Sequence, residues 1–280
     1  MSLSVCIPVL LSFLVSVLLG PVIIPFLKRL KAGQTVRDEG PKSHLKKNGT
    51  PTMGGILILS AMIVTSLFYM KDYPEIKPIL LLTLGFGLIG FLDDYIKVIL
   101  KRSMGLTPLQ KMAGQLVVTG LFAYYLLKVT DISLAAKVPF MPGVELDLGW
   151  LNIPLLFFII IGTVNGANFT DGLDGLAASV TVLAASFLSA AAIGTGTRIE
   201  PITCAVAGAL MGFLLFNVYP ASVFMGDTGS LALGGFVAAS AYMMQLQLFI
   251  PIIGFIYVIE VVSVILQVVY FKVTGGKRLF

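Results

Sequence analysis

Two adjacent aspartates, Asp93 and Asp94, close a long apolar run from Pro78 to Leu92. A helix rises about 1.5 Å per residue and needs roughly 20 apolar residues to cross a bilayer. The pair is therefore expected at, or just inside, one face of a membrane. A charge at the bilayer centre costs about 2.5–3.5 kcal/mol on insertion scales, so such residues face a cavity or a partner. Neighbouring carboxylates repel unless a cation lies between them or one holds a proton. The alternative is a solvated helix end.

Three further stretches carry the same kind of residue. NGANFTDGLDG, residues 165–175, holds Asn168, Asp171 and Asp174; the two acids are three apart and share a face in a helical turn. NVYPASVFMGDTGS, residues 217–230, holds Asp227 in a Gly-Asp-Thr-Gly turn. GPKSHLKKNGTPTMGG, residues 40–55, mixes lysines with Gly, Thr and Pro. Lysines beside the amides of a glycine turn can hold phosphate oxygens, and the alternative is an ordinary basic loop. Each acid also suits a helix cap. Capping does not account for five carboxylates expected on one membrane face, with Lys97, Lys101 and Arg102 directly after the first pair.

These loops must be positioned by membrane helices. Of 280 residues, 57% are hydrophobic and 12% charged, about half the charged fraction of a soluble domain. The chain reads as an all-α polytopic membrane protein, a single domain over residues 1–280. Nine spans are predicted, near 3–27, 53–70, 78–96, 108–127, 153–167, 175–193, 201–217, 231–246 and 251–271. The N-terminus reads as a first span and not a signal peptide, having no basic segment before its apolar run. The sixth and seventh spans are rich in Gly and Ala, which suits close helix packing.

Orientation follows from the basic residues. Lys71, Lys77, Lys128, Lys137 and Arg198 fall on one side, and the other fourteen of the 19 fall on the side of the acidic loops. That side is expected to be cytoplasmic, with the N-terminus outside. The net charge of +5 is mostly this asymmetry, and nucleic acid is not expected as a partner. Residues 128–152 suggest a small external hairpin, with Trp150 at an interfacial position.

Other patterns carry less. GFGLIG, Gly85–Gly90, fits a dinucleotide glycine fingerprint but lies inside a span with no strand before it, so it reads as a packing surface. Cys6 and Cys204 sit in apolar runs without metal-type spacing. His44 is the one histidine. Glu260, near the middle of the last span, is either a functional candidate or a carboxyl bonded to a neighbouring helix.

Carboxylates at an aqueous interface suit Mg²⁺, which completes its shell with water and substrate phosphate. With lysines nearby, the chemistry indicated is phosphoryl transfer to a lipid-borne nucleophile.

GPKSHLKKNGTPTMGG, FLDDYIKV, NFTDGLDGLA, NVYPASVFMGDTGSLALGG and EVVSVILQVVYFKVTGGKR resemble, in order and over essentially the whole chain, the phospho-N-acetylmuramoyl-pentapeptide transferases. That family is a branch of the polyprenyl-phosphate N-acetylhexosamine-1-phosphate transferases. The resemblance implies transfer of phospho-N-acetylmuramoyl-pentapeptide from its UDP carrier to undecaprenyl phosphate. The products are lipid I and UMP, the cofactor is Mg²⁺, and the setting is the bacterial inner membrane, often as a homodimer. It implies Asp93, Asp94 and Asp227 as catalytic acids, with Asp227 and Asp93 on the metal. Asn168, Asp171, Gly172, Leu173 and Asp174 match a uridine-binding loop, Phe224 an aromatic that stacks on uracil, and Asn217 a nearby polar contact. Lys46 or Lys47, with Lys97, are the phosphate-side candidates, and Thr50 and Lys111 are further substrate-binding candidates. The family has ten spans, with a histidine motif and a last span after YFKxTG. This sequence stops at Phe280, so weak or absent turnover is expected of it, with nucleotide and metal binding retained. A sister transferase for UDP-N-acetylglucosamine and a membrane transporter are the rival readings.

Overall fold

The computed structural model describes residues 3–30, 49–102 and 104–279. Lys46, Lys47 and His44 lie outside the described residues. Nine helices of fifteen residues or more are present among the described residues. They are α1 (Leu3–Arg29), α2 (Gly55–Tyr69), α3 (Lys77–Val98), α4 (Pro108–Val129), α5 (Asn152–Thr170), α6 (Leu176–Thr195), α7 (Glu200–Asn217), α8 (Gly226–Met243) and, after a four-residue α9 (Ile250–Ile253), α10 (Phe255–Val273). Seven of them are long and apolar enough to cross a bilayer, as a multi-pass membrane protein requires. The other two, α2 and α8, are short or interrupted by polar and glycine residues.

The centre of the bundle is α8, buried on every side from Thr228 to Met243. Past its polar first turn α8 is almost wholly apolar, and a helix apolar all round belongs in a core. It packs mainly on α3 and α5. Glycines let these backbones close up: a Cβ at Gly90 would lie 2.0 Å from the carbonyl oxygen of Asp227, and one at Gly55 would lie 2.2 Å from the nitrogen of Gly229. GFGLIG is therefore the packing surface expected of it. Gly85 faces Val118, Gly87 faces Leu59, and Gly90 faces the start of α8.

α7 packs on α1 in the same way. A Cβ at Gly208 would meet the carbonyl of Val9 at 2.2 Å, and the Ser12 hydroxyl donates to the Ala205 carbonyl. Small residues allow such approach where lipid offers no hydrophobic drive between helices. The outward faces carry Leu10, Leu14, Leu18 and Val22 on α1, and Val262, Ile265, Leu266 and Val269 on α10.

Between α4 and α5, β1 (Ala136–Lys137) pairs antiparallel with β2 (Glu145–Leu146), in the segment where a hairpin is expected. Two boundaries differ from the sequence reading. The last expected span is broken at Gly254 between α9 and α10, where Pro251 opens the short helix. α8 begins at Gly226 and not near 231, which puts Asp227 in its first turn. Hydropathy misses that turn because its Gly, Asp, Thr and Ser residues are buried by packing and hydrogen bonding.

Candidate active site

The site is built around the first turn of α8. Gly226 has φ +73°, a left-handed conformation that only glycine adopts freely. A Cβ there would strike Asp94 Oδ2 and Thr52 Oγ1 at 2.6 Å. The turn leaves the first amides of α8 without helical partners. Asp94, from the end of α3, takes them. Its Oδ1 accepts from Asp227 N (3.2 Å), and its Oδ2 accepts from Thr228 N (2.9 Å) and from Thr228 Oγ1 (2.7 Å). A carboxylate at a helix N-terminus is favoured by the unpaired amides and the helix dipole. Asp94 is 3% exposed and fixes α8 to α3.

Asp227 is held at both oxygens. Asn168 Nδ2, near the end of α5, donates to Oδ1 at 2.8 Å and to Ser230 Oγ at 2.8 Å. Lys97 Nζ and Lys111 Nζ meet Oδ2 at 3.1 and 2.9 Å. Two ammonium groups on one carboxylate oxygen mark a point of concentrated negative potential. Lys97 also pairs with Asp93 Oδ2 one helical turn back. Asp93 Oδ1 accepts from Leu106 N at 2.8 Å, where Gly105, at φ +59°, turns the chain back over α3.

Asp93, Asp94 and Asp227 each offer an oxygen, all within 4.8 Å of one another. An oxygen-only donor set of acids fits a hard divalent cation. Asp93 and Asp227 are paired with lysine ammonium groups, which a cation and its phosphate ligand can replace, whereas Asp94 is committed to the backbone amides of α8.

The other expected residues form an adjoining loop cluster. Asp171 and Asp174 lie in the turn after α5, and both reach the segment before α8: Asp171 Oδ2 accepts from Gly226 N (3.1 Å), and Asp174 Oδ2 from Ala221 N (3.2 Å). Asn217 bridges the same two loops, accepting from Gly175 N at 3.1 Å and donating to Val223 O at 2.9 Å. The half-buried Phe224 exchanges backbone bonds with the first loop, its N–H donating to Pro51 O and its carbonyl accepting from Gly54 N, both at 2.8 Å. Thr50 sits one residue before that contact. Gly172 and Leu173 are exposed at the rim. Glu260 is half-buried on α10, the helix that packs on α5 through Tyr257 and Val261 against Gly166.

The structure adds residues absent from the expected set. Thr228 and Ser230 anchor Asp94 and Asn168; their signal was the Gly-Asp-Thr-Gly-Ser run. Gln115 and Asn165 join α4 to α5 beside the site, and no sequence pattern pairs them.

Comparison with known proteins identifies the family. The model for glycosyl transferase family 4 matches residues 76–245, which carry all three acids. The phospho-N-acetylmuramoyl-pentapeptide-transferase signature 1 matches residues 47–59, a stretch that includes Pro51 and Gly54, the backbone partners of Phe224. The phospho-N-acetylmuramoyl-pentapeptide-transferase of Bacillus subtilis (strain 168) is 48% identical over 282 residues, covering 97% of this chain and 85% of the relative. That of Acetivibrio thermocellus is 50% identical over 275 residues, covering 97% and 82%. The chain belongs to the phospho-N-acetylmuramoyl-pentapeptide transferase family. As a member of it, the chain is a phosphoglycosyl transferase, and the acid cluster at the start of α8 is its candidate active site.

Proposed function

We propose that the chain transfers phospho-N-acetylmuramoyl-pentapeptide from UDP to undecaprenyl phosphate, with Mg²⁺, giving lipid I and UMP. The observation that carries this reading is the gripping of Asp227 by Lys97, Lys111 and Asn168, with Asp93 and Asp94 in the same cluster. The signature over residues 47–59 supports the muramoyl-pentapeptide donor over the UDP-N-acetylglucosamine donor of sister enzymes.

In the proposed reaction a phosphate oxygen of the lipid attacks the β-phosphorus of the donor. The bond from that phosphorus to the bridging oxygen breaks, and UMP leaves with the bridging oxygen. Mg²⁺, when bound by Asp93 and Asp227, would neutralise charge on the diphosphate. Lys97 and Lys111 stand on Asp227 Oδ2 in the structure and are placed to engage phosphate oxygens. Asn168 fixes the Asp227 carboxylate through its other oxygen, so the acid cannot rotate when the lysines shift. Asp94 orients the whole first turn of α8. The loop pairs through Asp171, Asp174 and Asn217 shape the uridine side, with Phe224 as its stacking face; Lys46, Lys47 and Thr50 complete the phosphate side.

The helices cross the membrane as one domain, with the N-terminus outside and the site on the cytoplasmic face of a bacterial inner membrane. The protein acts as a homodimer. The testing experiment is incorporation of labelled sugar phosphate from UDP-muramoyl-pentapeptide into undecaprenyl phosphate, with and without Mg²⁺. It is run on these 280 residues and on a longer form carrying the family's histidine segment. Metal-dependent lipid product supports the reading. No product in either form, from this donor or from UDP-N-acetylglucosamine, contradicts it.

A further inference from the structure

Gln115 belongs to α4 and Asn165 to α5, and their carboxamides face each other. Gln115 Nε2 donates to Asn165 Oδ1 at 3.3 Å, and Asn165 Nδ2 donates back to Gln115 Oε1 at 2.9 Å. The second hydrogen on Asn165 Nδ2 goes to Ile161 O at 2.8 Å, which fixes the orientation of that amide. Gln115 is 1% exposed, so water cannot take over its bonds.

The position of this pair gives it a further consequence. Lys111 is one turn before Gln115 and on the same face of α4, and Asn168 is one turn after Asn165 and on the same face of α5. Lys111 and Asn168 then seize opposite oxygens of Asp227, at 2.9 and 2.8 Å. These bonds, joined along one turn of each helix, close a ring from Asp227 through Lys111, Gln115, Asn165 and Asn168 back to Asp227. A slip of one residue between α4 and α5 moves a side chain by about 1.5 Å along the axis and swings it around the helix. Such a slip would take Lys111 or Asn168 off its oxygen.

We propose that Gln115, with Asn165, is a positioning residue of the transferase: the reciprocal amide pair holds α4 in register against α5 and so aims Lys111 at Asp227, whose other oxygen Asn168 holds from α5. This rests on the reading of Asp227 as the centre of the active site. Gln115 touches no reacting group in this account and acts through Lys111.

The test is a double-variant cycle in the form of the full chain that shows Mg²⁺-dependent transfer. Gln115→Leu is expected to lower kcat at least tenfold with KM for the UDP donor changed less than about threefold. In the Lys111→Met background the same substitution is expected to cost less than about threefold, because its effect passes through a lysine already removed. Equal losses in both backgrounds would overturn the proposal, as would unchanged kcat in the single variant. The exchange Gln115→Asn with Asn165→Gln keeps the summed length of the pair and is expected to recover activity lost in Gln115→Asn alone. That recovery, or its failure, decides the matter if Gln115→Leu does not fold. Wild-type transfer tests the site reading separately: its absence would sink that reading, whereas its presence with an additive cycle would sink only the role of Gln115.

Discussion

Replacing Asp94 by Asn separates a structural role of that acid from a purely chemical one. In the wild type its two oxygens accept three bonds, from Asp227 N, Thr228 N and Thr228 Oγ1. An asparagine of the same shape has one acceptor oxygen. With that oxygen in the Oδ2 position it keeps the two bonds to Thr228, now uncharged, and turns its NH₂ toward the amide of Asp227. One charge-assisted bond, worth about 1.5–3 kcal/mol, is lost. Removing a negative charge from the first turn of α8 costs about 0.3–1 kcal/mol more. The sum is about 2–4 kcal/mol, and a factor of ten corresponds to about 1.4 kcal/mol. The variant is expected to lose at least 30-fold in transfer rate and to unfold at a lower temperature in detergent. Labelled lipid product measures the first and thermal unfolding of the purified protein the second. Thr228→Val, which removes the hydroxyl donor alone, is expected to show the same two effects in smaller measure. An Asp94→Asn protein that is inactive but melts with the wild type would refute the capping argument and leave only a chemical role.

Other consequences follow from the same packing. Gly90→Ala places a methyl group 2.0 Å from the carbonyl of Asp227; overpacking of about 1–3 kcal/mol is expected, read as a lower melting temperature and a loss of kcat. Lys111→Met removes an ion pair on Asp227 Oδ2 and is expected to lower kcat/KM by about 10–100-fold, the equivalent of one bond to a charged group, in steady-state transfer assays. Gly226→Ala forces a side chain into φ +73° and is expected to cost about 1–2 kcal/mol from the backbone alone, measured by thermal unfolding.

Much of this architecture is legible in the residues, because the determinants are local. Long apolar runs mark the helices, and Gly85, Gly87 and Gly90 read as a packing surface from their place inside one. The acid motifs identify the loops that gather at the site. What is not legible is long-range. By residue type alone the five carboxylates look equivalent; the family resemblance divides them, and the fold gives the physical reason. Asp93, Asp94 and Asp227 converge, while Asp171 and Asp174 bind the amides of Gly226 and Ala221. Asp94 caps a helix that begins 132 residues later, which no capping pattern within a window can reveal. The start of α8 is hidden because its polar first turn is buried by glycine-mediated contact, whereas hydropathy sees only the apolar stretch from Leu231. Gln115 and Asn165 are single amides on separate helices, and only the crossing of those helices makes them a pair.

Asp227 and Asp93 are expected to hold the divalent ion. Mn²⁺, a hard cation that takes the same oxygen ligands as Mg²⁺, reports this directly by electron paramagnetic resonance of the purified protein, without any need for turnover. A saturable bound signal is expected in the wild type, at least tenfold weaker in Asp227→Asn and displaced by Mg²⁺. Equal Mn²⁺ binding by the wild type and Asp227→Asn, each folded by thermal unfolding, would place the metal elsewhere and contradict this assignment.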